Sequence, residues 1–98
     1  MTLRVRFRAK AESDILNAAR YYESKCESLR SQFFDRIDDV VALIRAHPAM
    51  FPVCHGSFRR ALLRQFPFAL YYEIEGDTIL VGAILHQRSD VHDEGLSE

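Results

Sequence analysis

Apolar residues recur at two different periods along this chain, and the changes of period divide it into elements. Leu3, Val5 and Phe7 alternate with Arg4, Arg6 and Arg8, the two-residue repeat of a half-buried strand. From about Ala9 the spacing lengthens. Ala11, Ile15, Ala18, Ala19 and Tyr22 recur at helical intervals, with Lys10, Glu12, Asp14, Asn17 and Arg20 filling the opposite side. A second helical stripe carries Leu29, Phe33, Ile37, Val41 and Ile44. Ser28 offers this helix an N-cap, and Pro48 predicts its end near Ala46-His47. The break around Lys25 to Ser28 is short, as an antiparallel helical hairpin requires. A loop punctuated by Pro48, Pro52 and Gly56 follows, and its Met50 and Phe51 are expected to plug the end of the core. Alternation then returns over 58–64, 68–74 and 78–86, joined at Gln65-Phe66-Pro67 and Gly76-Asp77. This order predicts an α+β fold, β-α-α-β-β-β, with a small, mostly antiparallel sheet covered on one face by the helical hairpin. Neither helix is expected to be stable alone.

Taking Gly76-Asp77 as a two-residue turn sets a register for the last hairpin. Ile74 then faces Ile79, Tyr72 faces Val81, Leu70 faces Ala83 and Phe68 faces Leu85, and these eight residues share the side that the helices cover. The other side carries Tyr71, Leu80 and Ile84, with His86 and Arg88 continuing at the same parity. If Ala61 and Leu63 point inward, Arg60, Leu62 and Arg64 join that outer surface; a one-residue slip would put Arg59 there instead. The expected result is a mixed aromatic, aliphatic and cationic face left bare by the helices, a pattern that commonly marks a partner surface.

Composition narrows the function classes. At 98 residues the chain is long enough for one domain spanning 1–98, with a polar, acidic tail expected to fray from about Ser89. No run approaches the roughly 18 apolar residues of a membrane span, and Met1 leads directly into an alternating strand, so neither membrane nor secretory leader is expected. The protein is placed in the cytoplasm, where Cys26 and Cys54 would be reduced thiols. With no CxxC spacing and with His47, His55 and His92 scattered, no metal site is expected, and no cofactor motif is present. Eleven of the thirteen cationic side chains are arginine. A planar guanidinium binds phosphate or carboxylate through paired hydrogen bonds, so the bias suits an anionic partner, although a GC-rich genome would give the same bias.

Arg60, Arg64, His86 and Arg88 are the candidate catalytic set. In a nuclease the arginines would hold an RNA backbone while His86 served as general acid or base. In a binding protein Arg59, Arg60, Arg64, Tyr71, His86 and Arg88 would instead meet acidic groups of a partner or target. As purely structural groups, Arg59 or Arg60 would pair with an acidic residue of the helices, and His86 would bond to backbone at the sheet edge. Binding and structural roles are expected ahead of catalysis, because ionisable groups in a cluster are only an associational sign of chemistry.

Arg59-Arg60, Phe66-Pro67-Phe68, Tyr71-Tyr72 and His86-Gln87-Arg88, on a meander that follows two helices, resemble the RelE/ParE family of bacterial type II toxins. The resemblance runs from Arg4 to about Asp90 and implies neutralisation by a cognate antitoxin, with any DNA binding made indirectly through it. The ending Ala83-Ile84-Leu85-His86-Gln87-Arg88-Ser89-Asp90 is similar to the ParE-like branch, whose known members poison DNA gyrase. RelE-like members instead cleave ribosome-bound mRNA without a metal, and usually carry a late catalytic Tyr or His. Here no tyrosine follows Tyr72. The resemblance therefore implies a toxin that binds a target such as gyrase. The alternatives are an mRNA endoribonuclease, or an inactive member that only binds antitoxin.

Overall fold

The computed structural model describes residues 3–88. The chain runs β1 (Arg4–Phe7), α1 (Ala9–Lys25), α2 (Glu27–Ala46), β2 (Val53–His55), β3 (Phe58–Leu62), β4 (Phe68–Glu75) and β5 (Thr78–His86). The fold is α+β: one five-stranded sheet in the order β1-β5-β4-β3-β2, with β1 parallel to β5 and every other pairing antiparallel. The expected meander is there, lengthened at its start by β2, three residues in a stretch that the prolines and Gly56 mark as loop.

Both helices lie where the helical spacing put them. Helix α1 buries Ala11, Ile15, Ala18 and Ala19; α2 buries Phe33, Ile37, Val40 and Ile44. Val40 rather than Val41 is fully inside, and Val41 packs at the margin. A single residue, Cys26, separates the helices and takes the N-cap position expected of Ser28. Ser28 falls within the first turn instead. The backbone itself makes the junction: Cys26 N donates to Tyr22 O at 3.0 Å and Leu29 N donates to Cys26 O at 2.9 Å. Helix α2 does stop at Ala46, ahead of Pro48.

Aromatic rings fill the space between the hairpin and the sheet. Tyr22, Phe33, Phe66 and Phe68 form a cluster whose centroids lie 4.6–6.2 Å apart, the spacing at which edge and tilted contacts add to area burial. Phe51 closes one end against Tyr72, with centroids 6.3 Å apart, whereas Met50 points outward and is 54% exposed.

The register of the last hairpin holds for half its length and then shifts. Ile74 pairs with Ile79 and Tyr72 with Val81, as expected from the Gly76-Asp77 turn, where Gly76 supplies φ +58°. Gly82 is then an extra residue on β5, a bulge, so that Tyr71 pairs with Ala83, Leu70 with Ile84, Ala69 with Leu85 and Phe68 with His86. Beyond Gly82 every side chain of β5 is on the opposite face from the one expected. Ile84 enters the main core, while Ala83 and Leu85 turn to the outer face.

Past the end of β1, the free edge of β5 is met by α1 rather than by a strand. Asp14 Oδ2 accepts a hydrogen bond from Ile84 N at 3.0 Å, and Lys10 Nζ holds the same carboxylate at 3.1 Å. A side chain thus supplies the partner that a longer β1 would have offered.

Candidate functional site: the arginine-bearing sheet face

Parity places two neighbouring arginines on opposite sides of β3. Arg59 pairs with Tyr72 and faces inward, where its Nη1 donates to Phe51 O at 2.6 Å and Ala49 O at 3.2 Å. Tyr72 Oη donates to Pro48 O at 2.6 Å beside it. Together they clamp the 48–51 loop to the sheet. Burial raises the Tyr72 phenol above its ordinary value, an effect only partly offset by Arg59. Arg59 therefore sits on the helix side of the sheet, half-buried and bonded to loop carbonyls, apart from the outward-facing Arg60.

Arg60 pairs with Tyr71 and faces outward, its Nε donating to Tyr71 Oη at 3.1 Å. Around them lies a compact apolar patch of Phe58, Ala69, Tyr71, Ala83 and Leu85. Arg8 stacks its guanidinium 5.4 Å from the Phe58 centroid and pairs with Glu73 at 3.2 Å. Ser57 Oγ donates to the other oxygen of Glu73 at 2.6 Å. Parallel pairing of Arg6 with Leu80 brings the cationic side of β1 onto this same face, so Arg4 and Arg6 extend it, both exposed. Among the described residues no carboxylate pairs with Arg4, Arg6 or Arg60.

The remaining candidates are elsewhere. Arg64, exposed, stands with Leu62 at the mouth of a groove between β3 and α2, lined across from them by Val40, Leu43 and Ala46. Leu43 and Leu62 there are 44% and 52% exposed. Arg36 Nε lies 3.2 Å from Asp39 Oδ2 in this groove, near enough for an ion pair but off the line of a hydrogen bond. His86 was expected on the outer face with Arg60; the Gly82 bulge turns it to the helix side. It packs there against Phe68, centroids 5.5 Å apart, in a depression shared with Tyr21 and Asp14. Its Nδ1 accepts from the backbone N of Arg88 at 3.2 Å. Arg88 is exposed at that turn.

The expected site residues therefore separate into three locations: Arg60 with Tyr71 outside, Arg64 at the groove, and His86 with Arg88 at the end of β5. A general acid or base must lie within hydrogen-bond reach of the proton it moves. His86 is across the sheet from Arg60, so the two do not share a reacting centre. The described residues contain no cluster of three metal-ligating side chains. The outer face carries the guanidinium groups of Arg4, Arg6, Arg8 and Arg60 around an apolar cluster that is itself buried, and guanidinium groups suit carboxylates or phosphates. Arg4, Arg6 and Phe58 belong to this surface and were missed as site residues. The charge of β1 was legible in its alternation, but its parallel docking against β5 was not.

Both cysteines are free and exposed. Burial raises the Cys54 thiol, with Arg60 acting against that; a hydrogen bond with Ser28 lowers Cys26. No described helix is long and apolar enough to cross a membrane.

A family model for the ParE toxin of the type II toxin–antitoxin system, parDE, matches residues 5–91. Among solved structures, the "Chromosomal ParDE TA system from P. aeruginosa" is similar at 15% identity and a TM-score of 0.65. That alignment covers 87% of this chain and 96% of the other. At such low identity the structural likeness concerns the fold alone. No curated protein matches by sequence.

Proposed function

The chain belongs to the ParE toxin family of type II toxin–antitoxin systems, and from that premise we propose that it disables a macromolecular target by binding, with DNA gyrase as the favoured target. The observation that carries this reading is the separation of Arg60 from His86 by the sheet itself. A guanidinium and an imidazole on opposite faces form no acid–base site, whereas arginines around the Tyr71 patch form a docking surface. Such a toxin needs no cofactor and works in the cytoplasm, where gyrase is found.

An antitoxin is the partner that the family implies. Its neutralising segment is read as acidic and apolar, folding on contact along the helical hairpin or adding a strand at the β2–β3 edge beside Arg64. Any contact with DNA is made through that antitoxin.

Purified protein added to a gyrase supercoiling reaction should stop it. Normal supercoiling at saturating toxin would end the gyrase reading, and cleaved message in a translating extract would put a metal-independent endoribonuclease in its place. Growth unaffected by expression without the antitoxin would leave a member that only binds antitoxin. Co-purification of a short protein encoded beside this one, under mild salt, tests the partner separately.

A further inference from the structure

Strand β5 has an open edge of its own. Strand β1 pairs with it only as far as Val81, and Asp14 then takes the Ile84 amide. Backbone groups on one edge of a strand recur at every second residue. The Ile84 carbonyl, and both the amide and the carbonyl of His86, therefore point the same way as that amide, away from β4. The Gln87 amide keeps the alternation by turning back to Pro67 O at 2.9 Å. Among the described residues no group outside β5 bonds to these three. An edge left in this state is a template for another extended chain.

The helix side of that edge is lined by rings. A cleft of about 320 Å³ opens there, walled by Asn17 and Tyr21 from α1 and by Phe68, Ile84 and His86 from the sheet. Tyr21 is 56% exposed. The volume is at the low end for ligand clefts and suits a single aromatic ring. In an antiparallel pair, a residue opposite His86 exchanges both backbone bonds with it and carries its side chain on the same face. That face is the cleft.

The charge at the margins has one sign. Lys25 Nζ lies 5.2 Å from the Tyr21 centroid, and Arg88 is exposed two residues past His86. His86 Nδ1 accepts from Arg88 N, so the neutral ring carries its proton on Nε2 as a further donor. The carboxylate that lines the cleft, Asp14, is already held by Lys10 and the Ile84 amide. These margins favour carboxylates.

We propose that the open edge of β5 at Ile84–His86 binds an extended acidic peptide of a partner protein, antiparallel, with one aromatic side chain seated between Tyr21 and Phe68. The site is separate from the β2–β3 edge and from the groove at Arg64, and it does not rest on the gyrase reading.

Hydrogen exchange of the full-length protein, titrated with the probe acetyl-Asp-Glu-Phe-Glu-Asp-amide, tests this at the backbone. The probe should slow exchange of the His86 amide by about tenfold or more. The Ile84 amide, bonded to Asp14, is the reference that stays protected throughout. N-methylation of the probe's phenylalanine, or exchange of its four acids for lysine, should weaken binding by about tenfold. Tyr21→Ala and Arg88→Glu should each weaken it by about fivefold with Ile84 still protected. No slowing at His86 with about 1 mM probe would overturn the proposal. Equal binding of the N-methylated probe would do so too. Slowing that grows with protein concentration alone would give the edge to a second copy of the chain, and slowing by single-stranded oligouridylate but not by the probe would give it to nucleic acid; either result overturns the peptide assignment.

Discussion

The two faces of the sheet are built on different terms. On the inner face, buried aromatic and aliphatic side chains from both helices and four strands interlock, and its cationic group, Arg59, is spent on backbone carbonyls. On the outer face five apolar residues form a small cluster, with Arg60 bonded to the Tyr71 hydroxyl, Arg8 paired with Glu73, and Arg4 and Arg6 exposed. The inner face specifies the fold, since each ring there has partners on several elements. Exposed charged residues of the outer face such as Arg4 and Arg6 are expected to change at little cost in stability.

The contrast breaks most severely at Phe33, 0% exposed and in contact with four other aromatic residues. Phe33→Ala should cost about 3–5 kcal/mol in urea unfolding, through lost burial and the cavity left behind. A loss under 1 kcal/mol would mean that the two faces are not so different. Asp14→Ala comes next. It strips the partner from the Ile84 amide and should cost about 1–3 kcal/mol, with faster hydrogen exchange at Ile84 as the local signature.

Arg59 and Arg60 sharpen the comparison, being adjacent in sequence and opposite in orientation. Arg59→Ala should lower stability by about 1.5–3 kcal/mol, because two hydrogen bonds to a charged group are lost. Arg60→Ala should fall within about 0.5 kcal/mol of wild type, yet weaken gyrase inhibition severalfold. The reverse pattern would reassign the faces. The smallest effect is titration of Tyr72. Its folded-state pKa lies above the ordinary 10.0 because burial disfavours the phenolate. The folded state thus holds its proton more tightly than the unfolded state. This contribution is complete below pH 10 and is lost as pH rises through the raised value. The urea midpoint should fall above pH 10, and Tyr72→Phe should flatten that fall.

Most of the inner face was legible because it follows local periods. Both helical stripes, the stop before Pro48 and the pairs Ile74–Ile79 and Tyr72–Val81 are each set by residues within a turn or two. The outer face was harder, since it depends on events of larger reach. A glycine inside a strand is a known sign of a bulge, and Gly82 is such a glycine, yet an unbroken alternation gave an equally consistent set of pairs. One inserted residue then inverted Ala83, Ile84, Leu85 and His86 together. The parallel contact of β1 with β5 joins residues more than seventy positions apart and has no local signal. Cys26 displaced Ser28 as the cap because backbone bonds alone shape a one-residue junction.

That junction has a mechanical result. With a single residue between them, the start of α2 stays within one short link of the end of α1. Helix α1 is tied in turn, through the Asp14 carboxylate, to the backbone of β5. The hairpin is thus fastened at its closed end by backbone bonds and along its flank to the strand that ends at His86.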